Sequence, residues 1–172
     1  MKDYWLAKLI NSVPKVDSRK RLQKSIYLLQ FRKNFPLKFD YFLHYYGPYS
    51  FELASAIDQL KAADIINENP EQTGFGSIRY KSQITEKGKR VLEDFQKSDE
   101  GKKANRKISP FIHLFEQLNE KNLWVLELAA TIAYYHEGNW PRAQDQTAKF
   151  KKITVDDFNL KQAVKIAKDF KN

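Results

Sequence analysis

Leu123 to Tyr135 reads LWVLELAATIAYY and is the most apolar stretch of the chain. A helix of that composition is apolar nearly all round, has no face to give to water, and belongs at the centre of a fold. It is too short to cross a bilayer, which takes about 20 apolar residues. The remaining segments must therefore wrap it. Its neighbours read as helices too. Phe111, Leu114, Phe115 and Leu118 form one stripe, with Ser109-Pro110 at its start. Gly138 ends the apolar run, and Trp140-Pro141 opens a turn or a further helix. Ala163, Ile166, Ala167 and Phe170 give a last amphipathic helix, for which Asp156 or Asn159 is the expected cap.

Residues 97–107, KSDEGKKANRK, carry no large apolar side chain and read as a polar linker or an exposed helix end. They divide an N-terminal part, 1–96, from the helical part, 108–172, which is expected to pack on the first. Trp5, Leu6, Leu9, Ile10 and Val13 recur at helical spacing before Pro14. A second helix starts after Ser18, with Leu22, Ile26 and Leu29 on its stripe and Asn34 and Pro36 past its end. Leu37 to Tyr46 reads as extended and is broken at Gly47-Pro48. Ser50 caps a third helix built on Leu53, Ile57 and Leu60. Two extended runs, around Ile65-Ile66 and from Ile78 to Ile84, flank a stretch carrying Gly74-Phe75-Gly76 and predict a β-hairpin. Thr85 opens a fourth helix. The fold class is mainly α with a small β-hairpin (α+β): a winged-helix-like N-terminal part followed by a helical part. Two local texts resemble winged-helix proteins: LKAADII (Leu60–Ile66) and YKSQITEKGKRVL (Tyr80–Leu92). Asp64 replaces the usual Gly of the first, a mild departure, since Asp tolerates the left-handed conformation at a helix end.

The chemistry expected of the chain is sparse. With no cysteine among its 172 residues, disulfides and thiolate chemistry are excluded, and a reducing compartment fits. The start, Met1-Lys2-Asp3-Tyr4-Trp5, lacks the apolar run of a secretory signal, so a cytoplasmic location and no membrane association are expected. His113 and Glu116, one helical turn apart, are a single reversed copy of the Glu-x-x-His arrangement that di-metal bundles need twice. No nucleophile elbow, phosphate loop or dinucleotide fingerprint occurs. No catalytic residue, no metal and no cofactor are expected, and hence a chain that is not an enzyme.

Charge is more informative. The net charge is +9, and Lys15, Arg19, Lys20, Arg21, Lys24, Arg32, Lys33 and Lys38 stand against Asp17 alone, so one stretch carries +7. Arg19, Lys20, Arg21 and Lys24, with Arg79 and Lys81 of the hairpin, are the candidate nucleic-acid contacts, of the kind that bind phosphate in a salt-dependent way. The third helix argues against sequence-specific readout. From Ser50 to Asp64 its charges are Glu52, Asp58, Lys61 and Asp64, a net of −2, where a major-groove helix wants Arg, Lys, Asn or Gln. Aromatic residues crowd the segment between: Phe35, Phe39, Tyr41, Phe42, Tyr45, Tyr46, Tyr49 and Phe51. Such a cluster serves core packing or recognition. The candidate partner surface combines Phe39, Tyr41, Tyr45 and Tyr49 with Ser55 and Gln59 of the third helix.

RLQKSIYLLQ, beginning at Arg21, and YFLHYYGPYSFELASAIDQL, ending at Leu60, resemble the YwgA-like proteins, grouped with the Panacea, or SocA-like antitoxin, domains. The matching positions are Leu22, Lys24, Tyr27, Leu28 and Gln30, then Tyr46, Gly47, Pro48, Ser50, Leu53 and Leu60. The resemblance implies a bacterial or phage protein with a winged-helix-like fold and no known catalysis. It implies action by binding a partner protein, such as a toxin encoded nearby, to neutralise it or present it to a protease. The Gly47-Pro48 turn admits a purely structural reading. A DNA-binding regulator using the second helix and the hairpin is the alternative function.

Overall fold

The computed structural model describes residues 1–74 and 76–171. Its elements in chain order are α1 (Lys2–Asn11), α2 (Arg19–Leu29), β1 (Phe42–His44), β2 (Gly47–Tyr49), α3 (Phe51–Ala62), β3 (Ile66–Gln72) and β4 (Ile78–Ile84), then α4 (Glu86–Lys97), α5 (Asp99–Glu120), α6 (Leu123–Tyr135), α7 (Trp140–Lys151) and α8 (Phe158–Lys171). Helices dominate, and the strands form two separate antiparallel pairs, β1–β2 and β3–β4, in agreement with an α+β class. The tip expected at Gly74-Phe75-Gly76 includes Phe75, which lies outside the described residues.

The apolar helix is α6, and Val125 to Ala133 are buried without a break. It is covered by α2, α7, α8 and β2. The fold has a second buried axis that its charges conceal. In α2 every residue from Arg21 to Leu29 is buried, because α2 packs against α5, α6, α8, β2 and β4. One continuous apolar cluster takes side chains from both parts of the chain, including Leu22, Ile26, Phe115, Leu126 and Leu160.

Local signals act where expected at most ends. Ser18 accepts from the Arg21 amide, Ser50 from Leu53 and Thr85 from Gly88. Asp64 follows α3 with φ of 57°, the left-handed geometry anticipated for it. Val16 bridges to Ser82 and ties the chain before α2 onto β4.

Several expectations are corrected. Of the two readings of segment 97–107, the exposed helix end holds and the linker does not. Apart from Ser98, which ends α4 and caps α5 through the Gly101 amide, the segment is helical, and it contributes the start of α5 with Gly101 and Ala104 buried. A Cβ at Gly101 would come within 1.8 Å of the Phe95 carbonyl, so only glycine lets α4 and α5 meet this closely. Ser109-Pro110 therefore does not start a helix; Pro110 sits inside α5. Gly47-Pro48 does not break an extended run but forms the returning strand β2, with Tyr45 and Tyr46 at the turn. Neither Asp156 nor Asn159 caps α8; the Leu160 amide donates to Asp157 Oδ1 at 3.0 Å.

Candidate functional site

The polar residues of α2, with Gln30 at its C-terminal cap, hold the aromatic segment by its backbone. Gln30 donates to the Phe39 carbonyl at 3.1 Å and accepts from the Phe39 amide at 3.0 Å. Two turns earlier, Gln23 makes the same reciprocal pair with Ser50, both at 2.9 Å. Between them Lys24 Nζ donates to the Pro48 carbonyl at 2.7 Å, and Tyr41 Oη donates to the Gln23 carbonyl at 3.2 Å. A side-chain amide that satisfies both an N–H and a C=O stands in for a missing strand, which is why residues 39–50 keep a fixed path with only two short strands. Gly47 has φ of +87°, and a Cβ there would sit 2.8 Å from Thr131 Oγ1. Of the motif residues, Leu22, Tyr27 and Leu53 are core, while Lys24, Gln30 and Ser50 fasten backbone.

Beneath β2 lies a charged cluster. Glu127 is 2% exposed in the middle of α6. Lys151 pairs with its Oε1, and Lys20 lies 3.0 Å from its Oε2. Lys151 also donates to the Tyr45 carbonyl at 3.2 Å, and Lys20 stands 4.3 Å from the Tyr46 ring centroid. The three lysines thus reach Tyr45, Tyr46 and Pro48, and the one carboxylate offsets only part of their charge. Burial, opposed by Glu127 and reinforced by Lys151 and Lys20, pushes the Lys24 ammonium down to about 7. Lys151 is lowered as well, again by burial first, against the pull of Glu127.

What this arrangement presents is an aromatic face. Tyr45 is 75% exposed, Phe51 72%, Tyr46 51% and Phe42 38%. Phe42 and Phe51 stack at 5.2 Å, and Tyr49 meets both edge-on at 5.9 and 5.3 Å. Ser55 and Gln59 are exposed on α3. Phe39 and Tyr41, expected on the same surface, are not available: Phe39 is buried in the core, and Tyr41 packs on Tyr27 at 4.8 Å. Phe42, Tyr46 and Phe51 take their place on this surface, although nothing in the sequence sets them apart from the buried members of the aromatic cluster.

The expected phosphate contacts are largely engaged within the fold. Arg19 lies 2.6 Å from Asp58 and 2.7 Å from Glu68, and hydrogen bonding to Glu68 holds its pKa above the usual range. Arg21 is buried, pairs with Asp17 at 2.6 Å, and donates to the carbonyls of Leu118 and Lys121. Lys24 is 1% exposed. Arg21 and Lys24 are thus corrected from surface cations to internal fasteners. Lys81 pairs with Glu71 at 2.6 Å, and Arg79 is exposed. His113 Nδ1 lies 3.6 Å from Glu116 Oε2 on the exposed side of α5. No group of three or more His, Cys, Asp or Glu placed to hold a metal occurs among the described residues. None of the helices formed by the described residues is long and apolar enough to cross a membrane.

No local pattern in the sequence marks Gln23, Thr131 or Lys151. Glu127 had a signal: it is the only charged residue in the apolar run of α6, and a lone carboxylate there requires buried partners.

No family model matches the chain. Over 150 residues it is 29% identical to the uncharacterised protein YwgA of Bacillus subtilis (strain 168), covering 87% of this chain and 81% of that protein. The similarity runs through both parts of the fold and supports a YwgA-like relationship.

Proposed function

We propose that this chain is a non-enzymatic interaction protein that binds a partner protein through the aromatic face of β1, β2 and the start of α3. The observation that carries this reading is the exposure of Phe42, Tyr45, Tyr46 and Phe51 on a segment whose backbone is fastened from below. Large aromatics held rigidly at a surface supply contact area at little entropic cost on binding and are the usual anchors of protein interfaces. The likeness to Panacea or SocA-like antitoxins extends the reading to a toxin-neutralising or adaptor role in a winged-helix-like frame, with the partner encoded nearby.

The test is co-expression with the product of the neighbouring gene, followed by co-purification. Wild type should retain the partner, and Phe51→Ala with Tyr45→Ala should release it while the variant stays folded. Retention unchanged by both substitutions, or a neighbour that is neither bound nor toxic, would overturn the reading.

A further inference from the structure

A groove of about 550 Å³ opens beside the lysine cluster, between α2, β4 and the junction of α5 with α6. That volume lies within the ordinary range for small-molecule sites. Lys20, Arg21, Arg79 and Lys121 line it, together with Asp17, Glu120, Glu127 and Trp124. Three of the bases that the sequence offered as phosphate contacts, Lys20, Arg21 and Arg79, are thus brought to one place, where Lys121 joins them from the other part of the chain.

The charges in the groove are not all equivalent. Asp17 is held by Arg21 through two bonds, at 2.6 and 3.1 Å. Glu127 is held by Lys20 and Lys151. Arg79 and Lys121 make no ion pair among the described residues, and neither does Glu120, exposed at the rim. The lining sets four bases against three carboxylates, and Lys151, paired with Glu127, adds a further cation beside it. The floor therefore keeps a positive surplus, which suits an anion. Trp124 contributes the one aromatic surface of the groove. It is half-buried, and the Lys151 ammonium lies 5.7 Å from its ring centroid, which leaves the opposite face for a base.

The geometry points to a binding site for a mononucleotide, with its phosphate on Arg79, Lys121 and Lys20 and its base against Trp124. A phosphate takes several donors of this kind at once, and an indole face accepts any base by stacking.

Isothermal titration of the full chain with AMP, and separately with adenosine, tests the proposal. AMP should bind, and adenosine, which lacks the phosphate, should bind at least tenfold more weakly. Lys121→Gln and Arg79→Gln should each weaken AMP about fivefold, and Trp124→Leu should weaken AMP and adenosine alike. Lys103→Gln, an exposed lysine of α5, should leave both unchanged. Thermal melts establish that each variant is folded, and Trp124→Phe, which keeps a stacking surface, should recover most of the loss at that position. Absence of AMP binding to the wild type overturns the proposal. Equal affinity for adenosine, or a loss at Lys103 matching that at Lys121, does the same.

Discussion

Lys24 Nζ lies 2.7 Å from the Pro48 carbonyl, so a lysine one-hundredth exposed on the most enclosed helix of the basic stretch holds the strand that carries the aromatic face. The sequence suggested a cation for an external acid. Its partner is instead a peptide carbonyl of the same chain.

Replacing Lys24 by Ala should cost about 2 kcal/mol, because the buried Pro48 carbonyl loses its donor and the removed side chain leaves a cavity in the core. Urea denaturation measures the loss. Amide exchange at Tyr45, Tyr46 and Gly47 should rise more than at α8, showing that the strand is released locally.

The same residue sets a pH dependence. Its pKa is about 7 in the folded chain and near 10.5 when unfolded, so between these values the unfolded state binds more protons. Stability should therefore rise with pH from about 7 towards 10. The cost of burying the ammonium is fully present below 7. Lys24→Met should flatten this slope, leaving the contributions of Lys8, Lys151 and Lys171, which have the same sign. An unaltered slope in Lys24→Met would place the effect elsewhere.

Gly47→Ala meets two obstacles, a φ of +87° and Thr131 Oγ1 at 2.8 Å from the new Cβ. A cost of about 2–3 kcal/mol is expected. Adding Thr131→Ala removes the collision but not the backbone strain, so the double variant should be more stable than the sum of the single losses predicts. Strict additivity in a thermal-melt cycle would exclude the contact as the cause.

Glu68 is buried at its side chain and held by Arg19 and Lys61, and these partners keep its carboxyl below the usual range despite the opposing effect of burial. A depressed folded pKa contributes stability above about pH 4.5 that is lost as acid protonates the group. Glu68→Gln should therefore be less stable than wild type at pH 7, by about 1–2 kcal/mol, and the difference should shrink below pH 4. Acid titration followed by circular dichroism reads it directly.

Phe51 is 72% exposed and Tyr45 75%, and their replacement by Ala should change stability by no more than about 0.5 kcal/mol. A larger loss would mean that the aromatic face supports the fold rather than a partner.

Much of the architecture was legible in the sequence because it depends on local grammar. The apolar run at Leu123–Tyr135 required a central helix, Ser18, Ser50 and Thr85 marked three helix starts, and Asp64 took the conformation its position demands. Periodicity also gave the β3–β4 hairpin. What the tertiary structure alone decided is where charge resides. Composition counts Lys24, Arg21 and Arg19 as +3. Packing places Lys24 on the Pro48 carbonyl, Arg21 on the Leu118 and Lys121 carbonyls and Arg19 on Glu68, with partners up to 100 residues away along the chain. The segment Lys97–Lys107 shows the same limit, since a run without large apolar residues looks like a linker until Gly101 and Ala104 are found pressed against α4 and α1 neighbours such as Phe95 and Trp5. Periodicity reports which face of a helix is apolar. Whether a charged face meets water or a buried counter-charge depends on which distant segment covers it, and no local pattern encodes that.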